Sequence, residues 1–162
     1  MSRRDQIKMS ATEVAEFLSS QRVINVATMG PKGRPHLAPL WYLPRVDDVE
    51  APRLETWTYG SSQKVANLRR LPEATVLVED GEQYEQLRGV SMECDVELID
   101  DADETLRIGI DLMHRYTFED ESVEVPPSLV DVLRKQAAKR VGIVFTPTKV
   151  VSWDHSKLGG VY

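Results

Sequence analysis

Thr58-Tyr59-Gly60-Ser61-Ser62-Gln63-Lys64-Val65-Ala66-Asn67-Leu68-Arg69-Arg70 is the stretch on which the reading of this chain turns. It begins in an alternating run, Leu54 to Tyr59, with the pattern of a strand. Val65, Ala66 and Leu68 then recur as the inward positions of a helix that Pro72 brings to an end. A strand thus runs directly into a helix whose first turn gathers two hydroxyls, Ser61 and Ser62, and one lysine, Lys64. The first amides of a helix lack intrahelical acceptors and carry positive potential, which is the arrangement a phosphate monoester needs. The plainer alternative is that Ser61 or Ser62 caps the helix while Lys64, Arg69 and Arg70 are solvated. A nucleotide-hydrolysing loop does not fit, because the first glycine of that motif and the Ser or Thr after its lysine are missing.

Working outward, Ser10-Ala11-Thr12-Glu13 has capping-box spacing and opens a short amphipathic helix carrying Val14, Phe17 and Leu18. Val23 to Thr28, the turn Met29-Gly30-Pro31-Lys32-Gly33 and Pro35 to Tyr42 read as a hairpin. Pro44 to Arg53 reads as a polar connection. Downstream, Thr75 to Glu79 is a strand and Asp80-Gly81 a turn. Tyr84 to Ile99 is a long strand expected to bend near Gly89. A helix from Asp101 to about Arg115 turns Leu106, Ile110 and Met113 inward, and an acidic loop spans Glu119 to Pro127. A second helix carries Leu129, Val132, Leu133 and Ala137. Val141 to Thr146 and Lys149 to Trp153 are expected as two final strands broken by Pro147. Strands joined by such short turns pair antiparallel. The expectation is a single mainly β domain over residues 1–162, a small antiparallel barrel with helices inserted between hairpins.

The chain has 162 residues, 41% of them hydrophobic and 28% charged, which is ordinary globular composition. The net charge of −6 repels phosphate backbones and anionic lipid, so nucleic acid and membrane are not expected as partners. One cysteine, Cys94, cannot form an internal disulfide, and no apolar run approaches the ~18 residues of a span, so a soluble cytoplasmic protein is expected. His36, His114 and His155 lack metal-ligand spacing, no Gly-x-Ser-x-Gly occurs, and Cys94 reads as strand packing, leaving neither metal nor covalent nucleophile expected. Leu40-Trp41-Tyr42 lies beside the strand bearing Trp57 and can wall a flat heteroaromatic ligand or simply fill the core. The ending Val151-Ser152-Trp153-Asp154-His155-Ser156-Lys157-Leu158 reads as a ligand or subunit contact or as an exposed tail.

Several segments in order carry a family likeness. They are Ile24 to His36, Ser62 to Arg70, Glu79-Asp80-Gly81-Glu82-Gln83-Tyr84 and Leu87-Arg88-Gly89-Val90. Together they make the chain resemble the pyridoxamine 5'-phosphate oxidase-like FMN-binding split-barrel proteins. Trp153 to Leu158 is similar to members grouped with the deazaflavin (coenzyme F420)-dependent reductases. The resemblance implies a six- to seven-stranded antiparallel split β-barrel and a homodimer with the cofactor in a groove between subunits. It also implies a flavoprotein oxidoreductase moving a hydride between F420 or FMN and a small unsaturated or aromatic substrate. It assigns cofactor contacts to Leu40, Trp41 and Tyr42 beside the ring, and to Ser61, Ser62, Lys64 and Asn67 around the phosphate. Trp153 and His155 are assigned to the cofactor from the chain end. No catalytic side chain is implied, since hydride transfer needs no acid or base; Tyr42, Tyr59, His155 and solvent stand as proton donors to substrate. The terminal segment does not reproduce the phosphate-binding end of the vitamin B6 oxidases, so that reaction is not expected. The alternative within the same fold is a non-enzymatic protein that stores flavin or sequesters haem.

Overall fold

The computed structural model of the protein describes residues 2–118, 120 and 122–159. Seven strands form one antiparallel sheet: β1 (Ile24–Met29), β2 (Pro35–Leu40), β3 (Leu43–Arg45), β4 (Arg53–Tyr59), β5 (Glu73–Asp80), β6 (Arg88–Ile99) and β7 (Arg140–Asp154). Their order is β2-β1-β5-β6-β7-β4-β3. β2 and β3 are therefore the two edges of the sheet, yet only Trp41 and Tyr42 separate them in the chain. So short a link forces the sheet to curl until its edges approach without pairing, which is a split barrel. Tyr42 turns inward at the split and is fully buried, whereas Trp41 is 56% exposed.

Alternation along the strands sorts the two faces. Ile24, Val26, Val76, Val78, Val90, Met92, Cys94, Leu54, Ile143 and Phe145 fill the barrel. Helix α1 (Arg3–Ile7) leads into α2 (Ala11–Ser20), which is opened by the Ser10/Glu13 capping box and lays Val14, Phe17 and Leu18 on this core. Helix α3 (Gln63–Arg70) buries Val65, Asn67 and Leu68. Helices α4 (Ala102–Met113) and α5 (Pro127–Ala137) pack around Trp57 on the opposite face of β4 through Ile108, Leu112, Leu106 and Leu133. The β1–β2 turn depends on Gly33, whose φ of 76° suits a residue without Cβ.

Several boundaries differ from the sequence expectation for physical reasons. β2 stops at Leu40, so Trp41 and Tyr42 lie in the link rather than on a strand, and the polar connection from Pro44 contains the end of β3. Tyr84–Gln86 is a 3-10 turn preceding β6, and the irregularity of β6 falls between Glu93 and Cys94, not at Gly89. There Cys94 pairs with Pro147 and Glu93 with Lys149; the extra residue, Thr148, accommodates the proline, and β7 continues as one strand. Ala66 and Val132 are exposed, and Asn67 occupies the inward position expected of Ala66. The helix expected to end near Arg115 continues through a π-turn, His114–Phe118. Glu119 and Glu121 of the expected acidic loop lie outside the described residues. Among the described residues no helix is long and apolar enough to cross a membrane.

Candidate functional site

β4 delivers its side chains alternately to the two faces, and this organises the site. Thr56 and Thr58 point to the barrel side and Trp57 and Tyr59 to the helix side. Thr56 Oγ1 donates to the Trp41 carbonyl at 2.6 Å, and Lys64 Nζ donates to Thr58 Oγ1 at 3.1 Å. Trp41 and Lys64 are thereby anchored two residues apart on one strand. Asn67 is buried at the base of α3, where its amide donates to Thr28 Oγ1 and its oxygen accepts from Gln63. Asn67 thus fixes α3 against β1.

Ser62 occupies the N-cap position of α3, but its side chain makes no capping hydrogen bond. Its Oγ is buried with no hydrogen-bond partner. Burial holds the Lys64 ammonium below the usual lysine pKa, and among the described residues it makes no ion pair. A donor hydroxyl, an ammonium and the first amides of a helix are thus all supplied by the start of α3, and each is a group suited to an anion.

The remaining expected residues are placed elsewhere. Tyr42 packs in the core: its hydroxyl donates to the Leu18 carbonyl at 2.6 Å, and burial pushes its pKa up. The Trp153 ring lies where a Cβ on Gly89 would sit, and His155 packs against Tyr84 with ring centroids 4.5 Å apart and the rings tilted by 53°, its Nδ1 2.9 Å from the Tyr84 carbonyl. Lys157 donates to the Lys8 carbonyl and pairs with Glu13, so the terminal segment is docked on its own chain rather than an exposed tail. Thr58 pairs with Val141, whereas Trp153 lies 12 residues further along β7. At ~3.3 Å per residue that is about 40 Å along the strand, so the Lys64 and His155 clusters occupy different ends of it.

The profile of the pyridoxamine 5'-phosphate oxidase family matches residues 10–154. The chain belongs to this family. A conserved hypothetical protein of Mycobacterium tuberculosis, Rv2991, is 35% identical over 100% of this chain and 95% of its own, with a TM-score of 0.84. An F420 reductase is 23% identical over 83% of this chain and 93% of that one, with a TM-score of 0.60. The haem storage protein HutZ of Vibrio cholerae is 13% identical over 90% of this chain and 96% of that one, at 0.64. The last two likenesses bear on fold alone. No curated protein matches the chain.

Two residues of this family member escaped the sequence reading. Tyr116, on the π-turn, stacks on Trp41 at 4.5 Å with a 7° interplanar angle, and its hydroxyl accepts from the Tyr42 amide at 2.9 Å. It therefore pins the link at the split. Arg140 places its guanidinium 4.6 Å from the Trp57 ring centre and 4.2 Å from that of Tyr59. A basic residue just after a helix reads as a helix end; only the pairing of Tyr59 with Arg140 sets it over the aromatics.

Proposed function

We propose that this chain is an oxidoreductase that moves a hydride between a flavin-type cofactor, coenzyme F420 or FMN, and a small unsaturated or aromatic molecule. The observation that carries the reading is the buried, unpartnered Ser62 Oγ beside Lys64 at the start of α3. Leaving such a hydroxyl unbonded costs about 1–3 kcal/mol, a cost removed when an anionic oxygen takes the hydrogen bond. The residues present fit a phosphate group. Ser62, Lys64 and the first amides of α3 would hold it, Ser61 stands beside them, and Trp41 at the split supplies an apolar face. When bound, the cofactor supplies the hydride chemistry. The protein binds, orients and limits water, with Asn67 and Thr58 as positioning residues.

The proposed groove lies between two copies of the chain. Trp153 and His155 sit far along β7 from Lys64, so in this proposal one copy contributes them to a cofactor whose phosphate is held by Lys64 of the other. The absorbance spectrum of protein purified from a host that makes both cofactors tests the reading. A flavin or deazaflavin band supports it. A haem band alone gives the sequestration alternative, and a cofactor-free protein that takes up neither F420 nor FMN overturns the reading.

A further inference from the structure

A cavity of about 290 Å³ opens between β4 and the helices α4 and α5, bordered by Trp57 on the face of β4 opposite Thr58 and sharing Trp41 with the proposed cofactor site. Trp41, Trp57, Leu112 and Met113 give it two indole walls and an aliphatic floor, and Gln136 and Arg140 give it polar groups. Arg140 is the unusual member. Its Nε is buried without a hydrogen-bond partner, its guanidinium is held by the rings of Trp57 and Tyr59, and among the described residues it makes no ion pair. A guanidinium kept in place by ring faces, with an N–H unspent, is a fixed donor for a carboxylate. The chain's net charge of −6 opposes an anion here only weakly, since exposed charges more than about 8 Å away are largely screened at physiological salt and no Asp or Glu among the described residues lines the cavity. The volume sits just below the floor of the ~300–1,000 Å³ typical of drug-sized ligands, which limits the occupant to one or two rings.

We infer that this cavity binds a small aromatic carboxylate, its ring against the Trp41 and Trp57 side chains that line the cavity and its carboxylate on Arg140. This deepens the oxidoreductase reading by naming a substrate class, and it rests on that reading for turnover but not for binding.

The test therefore uses binding to cofactor-free protein, with benzoate and neutral benzamide as probes and the indole N–H signals of the ¹⁵N-labelled protein as the readout. Benzoate at millimolar concentration shifts the Trp57 and Trp41 signals saturably, leaves Trp153 unmoved, and binds at least about tenfold more tightly than benzamide. Arg140→Met weakens benzoate about ten- to a hundredfold and benzamide less than about threefold, as loss of a charge-assisted hydrogen bond requires. Met113→Trp, which fills the cavity while keeping the charge, abolishes binding of both and decides the matter if the arginine variant does not fold. Equal affinity for the two probes, shifts at Trp153 alone, or binding unchanged in Met113→Trp overturns the inference. Cofactor titration of the same variants separates the two claims: intact cofactor binding with lost benzoate binding is expected. Failure of both wild-type titrations overturns both.

Discussion

Ser62 is where the two sequence readings of α3 part company. A serine that caps a helix contributes about 1 kcal/mol, and replacing it by alanine costs that much. Here the hydroxyl has no partner, so Ser62→Ala should leave thermal stability unchanged or slightly raised while weakening cofactor binding about three- to tenfold. A fall in stability of about 1 kcal/mol with unchanged cofactor affinity returns Ser62 to the role of cap. The motif was legible because hydroxyl, amide and ammonium cluster within four consecutive positions. Arg140 was not, because its meaning arises from a strand partner about eighty positions away. Cys94 behaves as the sequence suggests, buried in β6, and burial pushes its thiol up to about 12. Ellman's reagent at pH 8 should leave the native thiol unmodified and should titrate one thiol per chain in guanidinium; prompt native reaction contradicts the packing.

At the scale of elements, α4 approaches β4 closely enough that a Cβ on Gly109 would lie 2.4 Å from the Trp57 ring. Gly109→Ala gains about 1 kcal/mol of helix propensity but forces the indole to move. Because Trp57 and Gly109 both border the cavity, the ring has space to move into and the net loss should stay below about 2 kcal/mol, while the displaced ring occupies the cavity and benzoate binding is lost. Denaturant melts and the indole spectra check both. The same elements are tied by Glu55, which pairs with Arg45 of β3 and Arg107 of α4. Burial raises the Glu55 pKa, but the hydrogen bonds and charges of Arg45 and Arg107 outweigh it and hold the carboxyl below its usual range. The hydrogen bond to Lys157 and the Ser10 amide pull Glu13 to about 2. Both carboxyls are protonated more readily in the unfolded chain. Their contribution is complete above about pH 4.5 and is lost as pH falls from there through the folded values. Acid unfolding followed by circular dichroism should therefore steepen below pH 4.5, and Glu55→Gln should flatten it at a cost near pH 7 of about 1–2 kcal/mol. That cost stays modest because Arg45 keeps Asp111, and Arg107 keeps Glu104 and Asp111. An identical acid profile for the variant contradicts this account. Helix α2 was readable from its capping box and the helical spacing of Val14, Phe17 and Leu18, whereas the π-turn after α4 has no sequence signature beyond the continuing helix.

For the whole molecule, the antiparallel barrel was legible from short strands and tight turns, but the two-residue link and the strand order came only from the structure, since Trp41 and Tyr42 read as strand and Thr58 and Arg88 meet different ends of β7. The continuity of β7 through Pro147 was hidden because a proline next to an extra residue is tolerated in a way that a proline in a regular ladder is not. Light scattering is expected to give a dimer at micromolar concentration, and deleting Trp153 to Tyr162 should weaken dimer and cofactor binding together. Because the deleted segment also holds Lys8 and Glu13, the truncated chain should melt lower as well. The most direct test of the central claim is titration of cofactor-free wild-type protein and Lys64→Ala with F420 and with FMN. Wild-type protein should bind one of them saturably, and the variant should bind it about ten- to a hundredfold more weakly with its fold intact by circular dichroism. Unchanged affinity for both cofactors in Lys64→Ala would contradict the anion site at the start of α3.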